Sequence, residues 1–312
     1  MKTITQRFKE LNDRLFKVEN KLFEISKEIA ITKETSNVYW SSVTRRLKEQ
    51  YEIARFIYVD WVNTNLPLLY DANIKSHIKR IKSMTFKPPF QLDYKEFVNN
   101  NINIQSKRII TSTAYSDYDI GLDSGAKKLN RLLRSSQQVN ITENELNKSI
   151  TEGFSKNKSI YGVRKKTQEA LLKDALDKKY ITVVNKNGVP VDYNIKSYAK
   201  LVARTKYIQA QADGIVNLAV AYGSDLVQVS SHNTPTPLCQ QFEGKIFSIS
   251  GEDKRFPALI AEPPFHPNCR HSLTVYFAEA QPAETLQKAS DFSLGKSEVH
   301  PTLKHFKPVS ER

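Results

Sequence analysis

The sequence predicts an α+β protein that is mainly helical, with long N-terminal helices in a bundle or coiled coil and a small α+β C-terminal domain with short antiparallel strands. Apolar residues recur at helical spacing near the N-terminus. An Asn187-Gly188 pair between two β-branched runs indicates a β-hairpin. Apolar runs at 226–230, 246–250 and 272–276 predict further strands. The 312 residues are enough for two domains, each with its own core.

The first helix of the predicted bundle follows from the spacing of apolar residues near the N-terminus. From Ile4 to Ile29 the apolar positions alternate steps of four and three, which is a heptad seam. Phe16 and Phe23 lie one heptad apart and widen the apolar stripe on one side. A bundle in which this helix contacts more than one neighbour is therefore favoured over an isolated dimer.

A second long helix is predicted over residues 34–63, with Trp40 and Trp61 on its apolar face. Pro67 is expected to close this helical region, because proline removes a backbone donor. We interpret both tryptophans as packing residues, since aromatic residues at helical spacing usually belong to a core. The pattern becomes irregular at 91–139, where loops around short helices are expected.

The middle of the chain contains a helix start and a hairpin. Thr142 is a candidate N-cap, because Glu145 occupies the capping-box position three residues later. A further helix is expected over 160–176. The β-hairpin is placed at 180–193, with Pro190 on an edge strand or just outside the ladder, because proline cannot donate a backbone hydrogen bond.

The C-terminal part begins with a long helix predicted over 195–222, which ends at Gly223 in the left-handed position that favours glycine. The tail of the chain is polar and interrupted by prolines, so a flexible arm is expected there. The predicted division is an N-terminal helical region at 1–140, a C-terminal domain at 141–278 and the arm at 279–312.

The formal net charge of +14 favours an anionic partner, such as DNA, anionic lipid or an acidic protein surface. A basic segment that alternates with isoleucines and a second pair of lysines are the candidates for phosphate contact. They comprise Lys79, Arg80, Lys82, Lys165 and Lys166. The alternatives are the solvated face of an amphipathic helix and a Lys-rich surface that only keeps the protein dispersed.

Targeting signals are not evident in the sequence. The N-terminal residues lack the apolar run of a signal peptide. No later stretch approaches the roughly 18 apolar residues that a membrane span needs. We therefore expect a protein that is made and kept in the cytoplasm, without a membrane span.

Both cysteines and three of the six histidines fall in one short window. Zinc prefers thiolate and imidazole ligands, and two separate turns that fold together commonly supply them. Cys239, Cys269 and His271 are the best candidate ligands, and either His232 or His266 is the fourth. A structural zinc site is one interpretation. The others are a reduced core in which the thiols pack as small apolar groups and a Cys239-Cys269 disulfide.

Three blocks in this part of the chain occur in a distinctive order. The first is a helical segment that ends in Arg204-Thr205, the second runs from Ser-Ser-His232 through Cys239 to Lys245, and the third is His-Pro-Asn-Cys-Arg-His at 266–271. In this order they resemble the phage head morphogenesis family, also described as Mu F-like minor capsid proteins. The forms are most similar to the branch in tailed phages of Gram-positive hosts.

The resemblance covers roughly residues 145–277 and implies a structural protein present in few copies in the head interior, near the portal. It implies a role in head assembly and in protecting or ejecting DNA. The implied partners are the portal protein, the major capsid protein and double-stranded DNA bound without sequence specificity. The implied locations are the virion head interior and, during assembly, the host cytoplasm. Other branches carry cysteine in place of His271, which leaves the choice of metal ligands open.

An enzymatic alternative follows from the same window. Cys239 or Cys269 could act as a nucleophile activated by a histidine, or a metal could keep an open position for water, as in a phage-delivered toxin or hydrolase. A nucleophile needs an exposed pocket with an oxyanion hole, whereas the many prolines around these residues indicate a rigid structural segment. A non-enzymatic protein is therefore predicted.

Overall fold

The structure is a computed structural model, and it describes residues 2–32, 36–151, 179–185 and 187–300. The chain divides into two compact units. The first unit draws on Met1–Val62 and Tyr115–Val202, and the second unit draws on Asn63–Ala114 and Ala203–Arg312. Each unit therefore combines separate stretches of the chain. The sequence-based division at residues 140 and 278 stays a prediction.

Helices dominate both units. They are α1 (Ile4–Ile31), α2 (Asn37–Lys82), α3 (Tyr94–Val98), α4 (Asn101–Thr151), α5 (Ile195–Ala221), α6 (Pro237–Gln240) and α7 (Ala283–Ser293), with a short 3₁₀ turn at Ala278–Ala280. The strands are β1 (Ile181–Val184), β2 (Pro190–Tyr193), β3 (Leu226–Val229), β4 (Ile246–Ser248) and β5 (Leu273–Tyr276). The predicted α+β class with long N-terminal helices is confirmed. Within the described residues, no helix combines the length and apolar character required to cross a bilayer.

Helix α1 packs antiparallel to the first part of α2 within the first unit. The Thr3 hydroxyl accepts a hydrogen bond from the Gln6 amide, which closes a capping box at the start of α1. Near this end the Trp61 indole donates to the Arg7 carbonyl at 2.9 Å. The predicted seam is buried at Leu11, Leu15, Val18, Leu22, Ile25 and Ile29. The spacing of apolar residues therefore identified the packed face of α1 correctly.

Helix α2 continues beyond the proline that was expected to close it. Pro67 lies inside the helix, which ends only at Lys82. Internal proline removes one backbone hydrogen bond, but it does not prevent a helix whose apolar face is held by packing. Leu66, Tyr70 and Ile74 around this proline are each at most 1% exposed. The predicted end near residue 63 was therefore wrong, because core packing outweighs the local effect of Pro67.

The loops expected at 91–139 are replaced by α3 and most of α4. Helix α4 also passes through Thr142 without a break, so this residue does not begin a helix. The buried side of α4 has a spacing of four residues. It is formed by Ile110, Ala114, Tyr118 and Leu122. Alanine and tyrosine carry a weak apolar signal among the serines, threonines and asparagines of this segment, which explains the error.

The hairpin predicted at 180–193 is confirmed. Strands β1 and β2 are antiparallel, with Val184 opposite Pro190 at the end of the ladder nearest the turn. Gly188 has a φ of +76°, a backbone conformation that suits glycine in such a turn. The helix predicted over 195–222 is α5, and Gly223 follows it with a φ of +76°.

The first turn of α5 is held by a buried carboxylate of the first unit. Glu19 is fully buried, and its Oε1 atom accepts a hydrogen bond of 2.8 Å from the backbone amide of Lys196. The Lys196 ammonium lies 3.7 Å from the other carboxylate oxygen. A helix N-terminus has unsatisfied amides and a partial positive charge, so a carboxylate there stabilises it. Glu19 therefore fixes α5 to α1.

The second unit contains a three-stranded antiparallel sheet with the order β4-β3-β5. In the register, Gln228 lies opposite Ile246 and Val229 lies opposite Leu273. The chain that leaves β3 is therefore next to the chain that enters β4 and β5. Because three loop segments meet at this end of the sheet, residues distant in sequence are brought together there.

The tail that was expected to be a flexible arm contains α7, which packs against the sheet. The Ser293 hydroxyl accepts a hydrogen bond of 3.0 Å from the Ile246 amide on the edge strand β4. Ala289 and Phe292 are buried. The polar composition of this segment does not reveal that it contains an amphipathic helix of 11 residues. The apolar side of α7 covers the core, and the Ser293 hydroxyl accepts a hydrogen bond from the exposed edge of the sheet.

Glu262 provides a pH-dependent contribution to the stability of the second unit. Burial, followed by the negative charge of Asp213, raises the pKa of Glu262 to about 7 from an ordinary value of 4.5. The folded protein then binds this proton more tightly than the unfolded chain does. Stability should be full below about pH 4.5 and fall as the pH rises to about 7. Glu262→Gln is expected to remove this loss and, after a discount for the partial exposure of the carboxyl group, to raise stability by about 2 kcal/mol at pH 8.

The measurement for Glu262 is urea denaturation of the wild-type protein and the variant at a series of pH values. Glu252→Gln is the matched control, because it removes the same charge from an exposed position in the preceding loop. The control should leave the pH dependence unchanged. Equal pH profiles for wild type and Glu262→Gln would contradict the prediction.

Candidate metal centre

The cysteines and histidines singled out in the sequence meet at the end of the sheet where β3 ends and where β4 and β5 begin. His232 follows β3, Cys239 lies in the short helix α6, and Cys269 and His271 precede β5. Pro237 at the first position of α6 suits a helix start, because its missing N–H has no partner there in any case. The sheet register therefore assembles the group from two distant turns.

Three of the candidate ligands form a mutual group. One ligand atom from each of Cys239, His266 and Cys269 lies within 4.8 Å of the other two. The two Sγ atoms are 4.0 Å apart, and both cysteines are free thiols. Cys239 is fully buried and Cys269 is 1% exposed, whereas His266 is partly exposed. Two thiols and an imidazole at this spacing are a suitable donor set for a metal ion.

His271 contacts one of these thiols and a buried carboxylate at the same time. Its Nδ1 atom lies 3.4 Å from Cys269 Sγ. Its Nε2 atom donates a hydrogen bond of 2.9 Å to Glu243 Oε1. Glu243 is fully buried, and its carboxylate also accepts hydrogen bonds from the backbone amides of His232 at 2.6 Å and Thr234 at 3.2 Å. The carboxylate thus fixes both the ring of His271 and the loop that follows β3.

Glu243 is the residue of this site that sequence reasoning missed. The sequence pattern around Glu243 predicts only the strand at 246–250 that follows it. The available signal was a carboxylate directly before a glycine, close to Cys239, in a segment with few other acidic residues. Gly244 has a φ of +73°, and an added Cβ would lie 2.7 Å from Cδ2 of His300, so the close approach of the tail requires glycine here.

His232 lies beside the mutual group of thiols and His266, but its ring contacts other partners. Its Nε2 atom is 2.9 Å from the Ser230 hydroxyl, and the ring also forms a hydrogen bond with the backbone of Arg270. Its ring packs edge-on against that of His271, with the centroids 5.1 Å apart. Of the five candidate ligands, His232 is therefore the one with the clearest alternative role, which is to cover one side of His271.

The environment shifts the pKa values of the two thiols in opposite directions. Burial alone would raise the pKa of Cys269, but hydrogen bonds with the side chain and backbone of His271 outweigh burial and hold the pKa below its ordinary value. Burial, reinforced by the negative charge of Cys269, raises the pKa of Cys239. Cys269 is consequently the first of the two thiols to ionise, and the thiolate is the form that binds metals.

The contacts from Cys269 to His271 and from His271 to Glu243 also resemble those of a catalytic triad. In such a triad Cys269 would be the nucleophile, His271 the base and Glu243 the residue that orients the base. Catalysis would require the thiol to reach a substrate. Cys269 is 1% exposed and His271 is 3% exposed. The burial of both residues therefore favours a structural centre over a catalytic one.

The candidate DNA-binding residues are only partly described. Lys79, Arg80 and Lys82 form the basic last turn of α2 and are exposed. Ile78 and Ile81 between them are buried, so this segment is an amphipathic helix end. Cations at a helix C-terminus also interact favourably with the helix dipole. The three basic residues could therefore stabilise the end of α2 as well as contact DNA. Lys165 and Lys166 lie outside the described residues.

The fold and the centre define a helical protein whose small antiparallel sheet carries a buried thiol and imidazole group. Residues 164–299 match the family model described as phage minor capsid protein 2. This match confirms the resemblance to phage minor capsid proteins seen in the sequence and indicates a structural role in the capsid. No curated protein and no solved structure matches the chain. The branch of phages of Gram-positive hosts stays a prediction.

Proposed function

We propose that the protein is a structural minor component of the phage head that acts near the portal, in head assembly and in protecting or ejecting the packaged DNA. The match of residues 164–299 to the minor capsid family carries this proposal. The net charge of +14 supports a position beside DNA, because cations favour contact with phosphates. The locations that follow are the virion head interior and, during assembly, the host cytoplasm.

The N-terminal helices are proposed to contact the portal protein or the major capsid protein. Ile53 and Phe56 lie one turn apart on α2 and are 44% and 69% exposed. Exposed apolar side chains on adjacent turns are typical of protein contact surfaces. Cross-linking mass spectrometry of purified virions tests the proposal. Cross-links from α2 to the portal or capsid protein are expected, whereas absence of the protein from DNA-filled heads would contradict the proposed function.

Non-specific binding of double-stranded DNA is proposed through basic surfaces that include the last turn of α2. The affinity should not depend on sequence, and its logarithm should fall linearly with the logarithm of salt concentration. Replacing Lys79, Arg80 and Lys82 together by glutamine should reduce the steepness of this salt dependence. A reduction of about 2 to 3 units is expected if each side chain contacts a phosphate. Fluorescence anisotropy with duplexes of unrelated sequence measures both properties.

The control for DNA binding removes the same charge elsewhere. Lys9, Lys17 and Lys21 are exposed on α1, and replacing all three by glutamine also lowers the net charge by three. This control should weaken binding less and leave the salt dependence closer to that of the wild type. Equal effects of both triple variants would show that only net charge matters, and binding indifferent to salt would refute the DNA proposal.

A structural zinc ion is proposed as the cofactor of the Cys and His centre. The donor set supports zinc, because two thiols and imidazole suit a borderline-soft ion that forms closed structural sites. The ion would bind between the ligand atoms of the mutual group, which consists of Cys239, Cys269 and His266. A metal here would join the loop after β3 to the loop before β5, and its function would be to hold these loops on the sheet.

The protein is proposed to have no enzymatic activity, in keeping with the structural role of the family. Burial of Cys269 and His271 supports this proposal. The test is a set of turnover assays with nucleotide, peptide and glycan substrates. No turnover is expected. Turnover that is lost in Cys269→Ala would instead support a phage-delivered hydrolase or toxin.

A further inference from the structure

We infer that Cys239, His266, Cys269 and His271 form a closed four-ligand metal site, and that the buried carboxylate of Glu243 positions His271 within it. This inference deepens the zinc proposal and rests on it for the identity of the metal. It selects His266 over His232 as the fourth ligand, the choice that the sequence left open, and it adds a positioning residue.

The distances between donor atoms suit tetrahedral coordination. Zinc–sulfur bonds of about 2.3 Å and zinc–nitrogen bonds of about 2.0 Å place two sulfur atoms about 3.8 Å apart and a sulfur and a nitrogen about 3.5 Å apart. The Sγ atoms of Cys239 and Cys269 are 4.0 Å apart, and Cys269 Sγ is 3.4 Å from His271 Nδ1. The mutual group that includes His266 lies within 4.8 Å. Within the mutual group the donor atoms would have to approach one another by up to about 1.3 Å, whereas the contact between Cys269 and His271, which lies outside that group, already has the expected length.

Hydrogen bonding leaves one nitrogen of each ligand histidine available. His266 Nδ1 donates to the Pro267 carbonyl at 2.6 Å, so Nε2 carries the lone pair. His271 Nε2 donates to Glu243, so Nδ1 carries the lone pair and faces Cys269. Metal-binding histidines generally donate their other N–H to a carboxylate or a backbone carbonyl in this way. Both histidines therefore have the outer hydrogen bonds of metal ligands.

His232 is excluded from the ligand set by its partners. Its Nε2 atom contacts the Ser230 hydroxyl at 2.9 Å. Its ring also forms a hydrogen bond with the backbone of Arg270 and lies edge-on to His271. These contacts order the loop after β3 and cover the site, which explains why a histidine occurs there without binding the metal.

Glu243 acts through His271 rather than on the metal. Its carboxylate is fully buried and accepts hydrogen bonds from His271 Nε2 and from the amides of His232 and Thr234. A buried carboxylate is costly unless such donors surround it. These three donors stabilise the buried carboxylate of Glu243. The hydrogen bond from the imidazole N–H to this carboxylate fixes the tautomer of His271 and strengthens Nδ1 as a ligand.

The experiment uses the full chain, with zinc content measured by elemental analysis and ligand type measured by cobalt substitution. The wild type is expected to bind about one zinc ion per chain and to give a tetrahedral cobalt spectrum with thiolate-to-cobalt charge transfer. His266→Asn and His271→Asn should each lower the metal affinity about 100-fold or more and alter the spectrum. Glu243→Gln should lower the affinity about 10-fold to 100-fold with the same ligand spectrum.

Two further variants make the test independent of misfolding. His271→Cys supplies a new thiolate ligand and should retain the metal with increased charge-transfer intensity, which a purely structural histidine would not produce. His232→Asn is the matched control and should bind zinc as the wild type does. Loss of the metal in His232→Asn with retention in His271→Asn would overturn the ligand assignment while the zinc proposal stands. A wild-type protein that binds neither zinc nor cobalt would overturn both.

Discussion

Gly125→Ala is expected to destabilise the first unit by about 2 kcal/mol or more, although alanine is the better helix former. Gly125 lies within α4, and an added Cβ would be 1.9 Å from the Tyr180 carbonyl oxygen. The Tyr51 hydroxyl donates to the same oxygen at 3.0 Å. The gain in helix propensity is about 1 kcal/mol. Displacing the backbone that leads into β1 and breaking this buried hydrogen bond should cost about 3 kcal/mol or more in total.

Chemical denaturation followed by tryptophan fluorescence measures this effect, because Trp40 and Trp61 belong to the first unit. Ser116→Ala is the matched control in α4, since this exposed position gains helix propensity without a clash. Its stability should change by no more than about 0.5 kcal/mol. A Gly125→Ala variant as stable as the wild type would show that Tyr180 does not pack against α4.

The sequence predicted elements well wherever one local signal controlled the structure. The heptad spacing from Ile4 to Ile29 identified the buried face of α1, and Asn187-Gly188 identified the hairpin. Prediction failed where tertiary packing decided. Pro67 lies inside α2 because its apolar neighbours are buried. The buried side of α4 includes Ala114 and Tyr118, which give little apolar signal in the sequence.

In the candidate metal centre, too, the sequence predicted what a local signal determines and missed what tertiary packing determines. The clustering of thiols and imidazoles in the sequence identified the group, because these residue types are rare in this chain. The roles of His232 and Glu243 depend on which loops the sheet register brings together, and no local pattern contains that information. Glu243 lies 28 positions from His271, yet the antiparallel pairing of β4 and β5 with β3 places them in direct contact.

Removing the zinc ion proposed for the Cys and His centre is expected to lower the unfolding temperature by about 10 °C. A ligand that binds only the folded state stabilises it by about 4 kcal/mol at a thousand times its dissociation constant, and each kcal/mol corresponds to about 2 to 4 °C for a unit of this size. Calorimetry of the reduced protein with and without a chelator measures the shift. Hydrogen exchange should increase most in the loops that contain Cys239 and Cys269.

Cys239→Ala separates loss of metal from loss of packing. This buried side chain contributes some packing of its own, so the variant should melt below the wild type, but its unfolding temperature should not respond to chelator or to added zinc. Readdition of zinc should restore the chelated wild type, whereas magnesium should not, because hard cations prefer oxygen ligands. A wild type that is indifferent to chelator would show that the thiols form a reduced core. If the stability of the loops at this end of the sheet depends on the metal, the centre has a structural role. This role is expected because the thiols are too buried to contact a substrate.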